Sequence, residues 1–295
     1  MATRTVSSPS KRLKAENSAR LPSSVRSFPQ AATNMRLPLS STYSLCDSYP
    51  LADNAKYLNE GYRGADMNLE HRYDRNMQAL SSEECATLAK KRVAIVGCGG
   101  LGGLAIEALA RIGVGFLRVI DGDVFEESNL NRQLLSTEAV LGREKALVAA
   151  ERVQAINSDV IADACVTYLT EANAIELLSE VDCVIDCLDN LEARFWTAHA
   201  CQKLGVPIVY GAIAGWFGQA CTVYPGDVSF ATIYGEPQRE SQHKLLGNLP
   251  FTAYVISSIQ AAECVKVLLD RPGIIRNRLL MVDLLDGSVD DVELR

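Results

Sequence analysis

From about residue 92 the chain alternates short apolar runs with stretches in which apolar residues recur every three or four positions. Residues 93–96 have the length and composition of a buried strand, and Leu101, Leu104, Ala105, Ala108, Leu109 and Ile112 follow at helical spacing. Residues 116–120 form a second apolar run. Gly142-Arg143-Glu144-Lys145 then opens a helix to about residue 156, with Ala146, Ala149, Ala150, Val153 and Ile156 as its buried stripe. Further strands are predicted over 160–169, 182–188, 207–214 and 219–224. Thr170 reads as the cap of a helix ending near Leu178, and another helix covers 191–204. Strand and helix alternating in this way predicts right-handed crossovers and a parallel sheet with ligands at the carboxyl ends of its strands. Residues 251–269 read as an amphipathic helix, and 279–284 and 289–294, joined by Asp286-Gly287, as a closing hairpin. The fold class is therefore α/β: a Rossmann-like, mostly parallel sheet flanked by helices, with a C-terminal antiparallel strand extension.

The first strand breaks into Gly97-Cys98-Gly99-Gly100-Leu101-Gly102. Glycines at a strand-to-helix turn let backbone amides approach a ligand, and the helix N-terminus favours phosphate there. The second strand ends in Asp121, where this fold commonly places a carboxylate on a ribose hydroxyl. Together they predict a bound nucleotide without choosing between NAD and ATP. The segment from Gly122 to Gln133 is too long for a simple turn, as functional loops often are. Lys145 falls in the first turn of its helix, where the dipole disfavours a cation. A ligand phosphate would account for it; a solvated lysine is the alternative. Asp189 closes the 182–188 strand and belongs with Asp121 on the ligand edge. His199 reads as a helix-surface or packing residue.

The formal charge of −7 is unevenly spread. Residues 1–66 hold nine Lys/Arg against five Asp/Glu, so that segment carries +4 and the rest −11. An acidic body lacks the clustered cations that nucleic acid requires. Residues 1–66, rich in Ser, Arg, Asn and Pro, are expected to be disordered, leaving 67–295 as the folded domain. The first 46 residues contain seven Lys/Arg and one acidic residue, Glu16. That bias fits an organellar transit peptide, and equally a nonfunctional upstream extension with a cytoplasmic protein behind it. Nine cysteines without a Cys-x-x-Cys pair favour a reducing compartment and predict no zinc site. The longest uncharged run, 204–226, contains two prolines and five glycines and suits strands and turns better than a membrane span. A short helical lead-in covers Arg72-Tyr73-Asp74-Arg75 and the Ser81-Ser82-Glu83-Glu84 segment, and 227–249 reads as a flexible loop over the site.

In order, Arg72-Tyr73-Asp74-Arg75, Gly97 to Gly102, Asp121-Gly122-Asp123, Ser128-Asn129-Leu130-Asn131-Arg132-Gln133, Gly142 to Lys145, Asp186-Cys187-Leu188-Asp189-Asn190 and Gln260-Ala261-Ala262-Glu263 resemble the MoeB/ThiF/HesA superfamily, the ATP-dependent activators of ubiquitin-like and sulfur-carrier proteins. The resemblance implies adenylation of the C-terminal glycine of a small carrier protein, with ATP and Mg²⁺. It implies that Gly97, Gly99 and Gly102 give close backbone approach, that Asp121 takes the ribose and Asn129 the phosphates, and that Arg132 and Lys145 supply cations while Asp189 holds Mg²⁺. Arg75 would arrive from the second subunit of a homodimer. Two departures are visible: the paired Cys-x-x-Cys of many relatives is absent, and residues 222–263 contain no cysteine for a carrier thioester. Cys187 and Cys221 are expected to be packing residues. An oxidoreductase would leave Arg132, Lys145 and Asp189 without a role. Activation of a non-carrier acyl group, or a noncatalytic nucleotide-bound scaffold, are the other readings.

Overall fold

The computed structural model describes residues 71–227, 230–235 and 246–294. The expected disorder of residues 1–66 lies outside them, as does most of the loop expected over 227–249.

Eight strands form one sheet in the order β3-β2-β1-β4-β5-β6-β7-β8. They are β1 Arg92–Val96, β2 Phe116–Ile120, β3 Ile161–Cys165, β4 Cys183–Asp186, β5 Ile208–Ala214, β6 Phe217–Val223, β7 Arg278–Asp283 and β8 Ser288–Glu293. The first five pair in parallel and the last three run antiparallel. The helices are α1 Ser82–Leu88, α2 Gly100–Ile112, α3 Lys145–Ile156, α4 Ala174–Leu177, α5 Leu191–Leu204, α6 Phe230–Tyr234 and α7 Pro250–Leu268. Chain order reverses between β1 and β4, which is where an open α/β sheet leaves a crevice for a ligand.

Strands β1, β2 and β4 are buried on both faces, so they read as unbroken apolar runs. One core cluster joins β1, α2, β2, α3 and α7 through Ile95, Leu109, Leu117, Val153 and Cys264. A second, around Val184, Leu178, Cys201, Tyr210 and Cys221, fills the other face. Helix α7 is apolar and long enough to cross a membrane by length and composition. It is a core helix instead: Glu263 is buried in it and accepts from Thr222 Oγ1 and Ile275 N, and only a narrow stripe including Ser258 and Ala262 faces outward. The uncharged run 204–226 forms β5 and β6.

Several boundaries differ from the sequence reading, among them that of β4, which ends at Asp186 rather than at 188. Strand β3 ends at Cys165, and Thr170 does not cap a helix. The Asn173 side chain accepts from Thr170 N and donates to Tyr168 O, tying 168–173 into a turn and leaving α4 only 4 residues long. Helix α3 begins at Lys145, because Gly142 takes the left-handed conformation and Phe125 N bonds Arg143 O.

Candidate functional site

The glycine turn is built by close approach. Gly97 has φ +95°, and its amide bonds Ile120 O at 2.8 Å. A Cβ on Gly97 would stand 2.8 Å from Cys187 O, and one on Gly102 only 1.7 Å from Gly97 O. These two positions admit only glycine, since no side chain can move to relieve a clash with backbone. Gly99 caps α2, so the first amides of a 13-residue helix open at the end of β1. Cys187 N bonds Val96 O, which brings the end of β4 against this turn.

Asp121 lies beside the turn. Its carboxylate accepts from Cys98 N and Asp123 N, both at 2.8 Å. Burial pushes its pKa up, outweighing those two amides and the nearby Lys145. Lys145 is only 6% exposed. Its Nζ stands 3.1 Å from Asp123 Oδ2 and its amide bonds Asp123 O at 2.9 Å. Burial acts to raise the Asp123 pKa, but hydrogen bonds from Tyr168 Oη, at 2.6 Å, and from Lys145 bring the net value below the usual range. The solvated-lysine alternative is therefore excluded: a cation is held inside the protein, at a helix N-terminus, by one carboxylate.

The long loop packs over the turn. Asn129 is buried and staples the loop: its Oδ1 accepts from Glu126 N and its Nδ2 donates to Ser128 Oγ. Arg132 donates to Ser128 O and Asn131 Oδ1, both at 2.9 Å, with its stem 3.8 Å from the Cβ position of Gly100. Gln133 is buried against Gly99, and its Oε1 has no hydrogen-bond partner among the described residues. An unpaired buried carbonyl is costly, and the amide that carries it packs against the turn. Asp189 is exposed just beyond β4, between Leu188 and the α5 cap Asn190.

The carboxyl edge of the sheet thus gathers Gly97, Gly99, Gly102, Asp121, Asn129, Arg132, Lys145 and Asp189. Arg75 is not among them. Tyr73 Oη accepts from Asn157 Nδ2 and packs on Gly113, the C-cap of α2, while the glycine turn is at the opposite end of that helix, about 20 Å away at 1.5 Å per residue. Arg72 bonds Asn157 as well, and Arg75 is exposed. Cys187 is half-buried with its thiol pKa pushed well up by burial, and Cys221 is fully buried. Both are packing residues in this structure. His199 lies on the exposed face of α5.

Asp123, Tyr168 and Gln133 received no individual role from the sequence. Asp123 and Gln133 stand inside blocks that pointed to the site, whereas Tyr168 carries no sequence signal, because its ring is brought over Gly122 by the turn after β3.

Solved structures share this fold. PaaA superimposes with a TM-score of 0.67 at 20% identity, covering 83% of this chain and 80% of that one. E. coli MccB with MccA gives 0.70 at 19%, covering 83% and 77%. Sequence relatives are nearer. The "SAMP-activating enzyme E1" of Haloferax volcanii is 35% identical over 76% of this chain and 85% of its own length. The "Sulfur carrier protein adenylyltransferase" of Thermus thermophilus is 34% identical over 76% and 87%. The "Adenylyltransferase and sulfurtransferase MOCS3" of Arabidopsis thaliana is 36% identical over 76%, and the match spans 50% of that longer protein. The ThiF family model matches residues 73–295, and the chain belongs to the ThiF family.

Proposed function

We propose that this protein is an ATP-dependent adenylyltransferase that activates the C-terminal glycine carboxylate of a small ubiquitin-like or sulfur-carrier protein and releases pyrophosphate. The observation that carries the reading is Lys145, a buried cation at a helix N-terminus beside the glycine turn. A polyphosphate is the ligand that makes such a placement favourable. The relatives from Haloferax and Thermus, named for activating SAMP and for adenylating a sulfur carrier, align over most of their lengths and support the same reading.

The residues present fit ATP. Asp121 has lone pairs left for ribose hydroxyls after its two backbone bonds, the amides of Gly99 and Gly100 open at the α2 terminus, and the unpaired Gln133 carbonyl lines the turn. Mg²⁺ takes one or two carboxylates and completes its shell with phosphate oxygens and water. Asp189, exposed at the same edge, is the carboxylate that suits it. When bound, the ion neutralises charge on the phosphates.

The chemistry needs no general base, because the attacking carboxylate is already ionised. One of its oxygens bonds to the α-phosphorus, the bond from that phosphorus to the oxygen bridging to the β-phosphate breaks, and pyrophosphate leaves with the electron pair. Lys145 and Arg132 stabilise the charge that accumulates on the phosphates, and the turn fixes their position. Arg75 is one helix length from its own site, so its part in catalysis requires a second copy, and we propose a homodimer with two composite sites. The decisive labelling experiment supplies a carrier ending in Gly-Gly with ATP labelled at the α- or the γ-phosphate. Label from the α position alone should appear on the carrier and be released by hydroxylamine; no α label on any such carrier would refute the assignment.

A further inference from the structure

Beneath Asp189 lies a charged pair that the chemistry above does not use. Asp186 is fully buried at the end of β4 and Arg194 is 5% exposed one turn into α5, with Arg194 Nη1 2.9 Å from Asp186 Oδ2. Burial pushes the carboxyl up against the pull of the guanidinium, while Asp186 more than offsets the effect of burial on Arg194 and keeps it charged. Such a pair adds little net stability over apolar packing, because desolvating both charges offsets their attraction. Its geometry has another consequence. Asp186 Oδ1 accepts from Leu188 N at 3.0 Å, and Arg194 Nη2 donates to Leu188 O and, at 3.0 Å, to Gly211 O on β5. Both backbone groups of Leu188 are therefore fixed by this one pair. On the far side, Asn190 Oδ1 accepts from Ala193 N at 3.1 Å and anchors the start of α5. Asp189 is the one residue between these anchors, held outward at the sheet edge. The guanidinium also lies over the Tyr210 ring, 4.9 Å from its centroid, which fixes its fork from β5.

We infer that the Asp186–Arg194 pair is a positioning device for Asp189, setting the backbone from which its carboxylate meets the divalent cation. This rests on Asp189 being that cation's protein ligand. Partners behind metal ligands commonly change metal affinity by about 10–100-fold when removed. An isolated structural pair would instead alter stability and leave the cation's affinity alone.

The test compares the full-length protein with Asp186→Leu/Arg194→Met, which leaves no orphaned charge, and with Arg194→Lys, which keeps the charge but loses the fork that spans Leu188 and Gly211. Two readouts are taken: hydrogen-exchange protection of the Leu188 amide in the free protein, and the affinity of Mn²⁺ for the complex with α,β-methylene ATP, followed by electron paramagnetic resonance. Both variants should lose Leu188 protection and weaken Mn²⁺ binding about ten-fold or more, with metal-free nucleotide binding retained. Arg194→Lys decides the matter if the double variant fails to fold. Mn²⁺ affinity unchanged in a folded variant overturns the inference. Asp189→Ala separates the two levels: if it weakens Mn²⁺ binding and the pair variants do not, the pair alone is wrongly assigned. If Asp189→Ala leaves Mn²⁺ affinity unchanged, the cation assignment fails and this inference goes with it.

Discussion

Asp121 shows how a single carboxylate ties fold to chemistry. Its bonds from Cys98 N and Asp123 N tie the glycine turn to the segment after β2, and burial raises its pKa above that of an ordinary aspartate, near 3.9. In the proposed role, the ribose hydroxyls need its ionised form as acceptor. The KM for ATP should therefore rise as pH is lowered, beginning above the range of a free aspartate, and Asp121→Asn should abolish that dependence while weakening binding throughout. A KM independent of pH down to the ordinary aspartate range would contradict the role. Asp123 behaves oppositely: its net pKa is lowered, so its contribution to stability is present above the unfolded-state value and is lost only as pH falls through the lower folded one. Gly102 is the stricter constraint, since its missing Cβ would overlap Gly97 O. Gly102→Ala should cost about 3 kcal/mol or more of stability, visible as a lower melting temperature together with lost ATP binding. At this scale the glycines, Asp121, Lys145 and Asp189 were legible because residue type and spacing alone carry the signal. The unpaired carbonyl of Gln133 and the Tyr168 hydroxyl on Asp123 were not, because each depends on a neighbour remote in sequence.

Among the elements, strands and long helices were legible to within a few residues, and the misreadings have local causes. An apolar run predicts how far a strand could extend, but side chains that bond nearby backbone decide where it stops. Asp186 ends β4 in this way by accepting from Leu188 N, and beyond β3 Asn173 ties residues 168–173 into a turn where the apolar run would have continued the strand. Helix α3 was placed three residues early because Gly142 reads as a polar opener, whereas its positive φ makes it the turn that precedes the helix. The later start makes Lys145 the first residue of the helix, with its side chain buried. Lys145→Met should fold, because the Asp123 carboxylate it leaves is half exposed. Turnover should nonetheless fall by about a hundred-fold or more, as when a charge-stabilising donor is removed. Retained turnover in that variant would make the lysine structural.

For the molecule as a whole, a parallel sheet with its ligand edge at the carboxyl ends of the strands could be read from the alternation of elements, and the observed strand order sets the crevice between β1 and β4. The distance of Arg75 from that crevice could not, because it depends on Tyr73 and Arg72 docking on Asn157 at the other end of α2. If two copies complete each other's sites, Arg75→Ala and Asp189→Ala proteins should each be inactive alone. Unfolded and refolded together, they should regain about a quarter of wild-type activity, since half of the dimers would hold one intact site. No recovery on mixing would place each site within one chain.

Adenylation of a carrier's carboxylate is tested most directly by exchange of labelled pyrophosphate into ATP by the full chain with Mg²⁺, with and without carriers ending in Gly-Gly. Exchange should appear only with a cognate carrier and disappear when its terminal glycine is removed. ATP binding without exchange on any such carrier would contradict it.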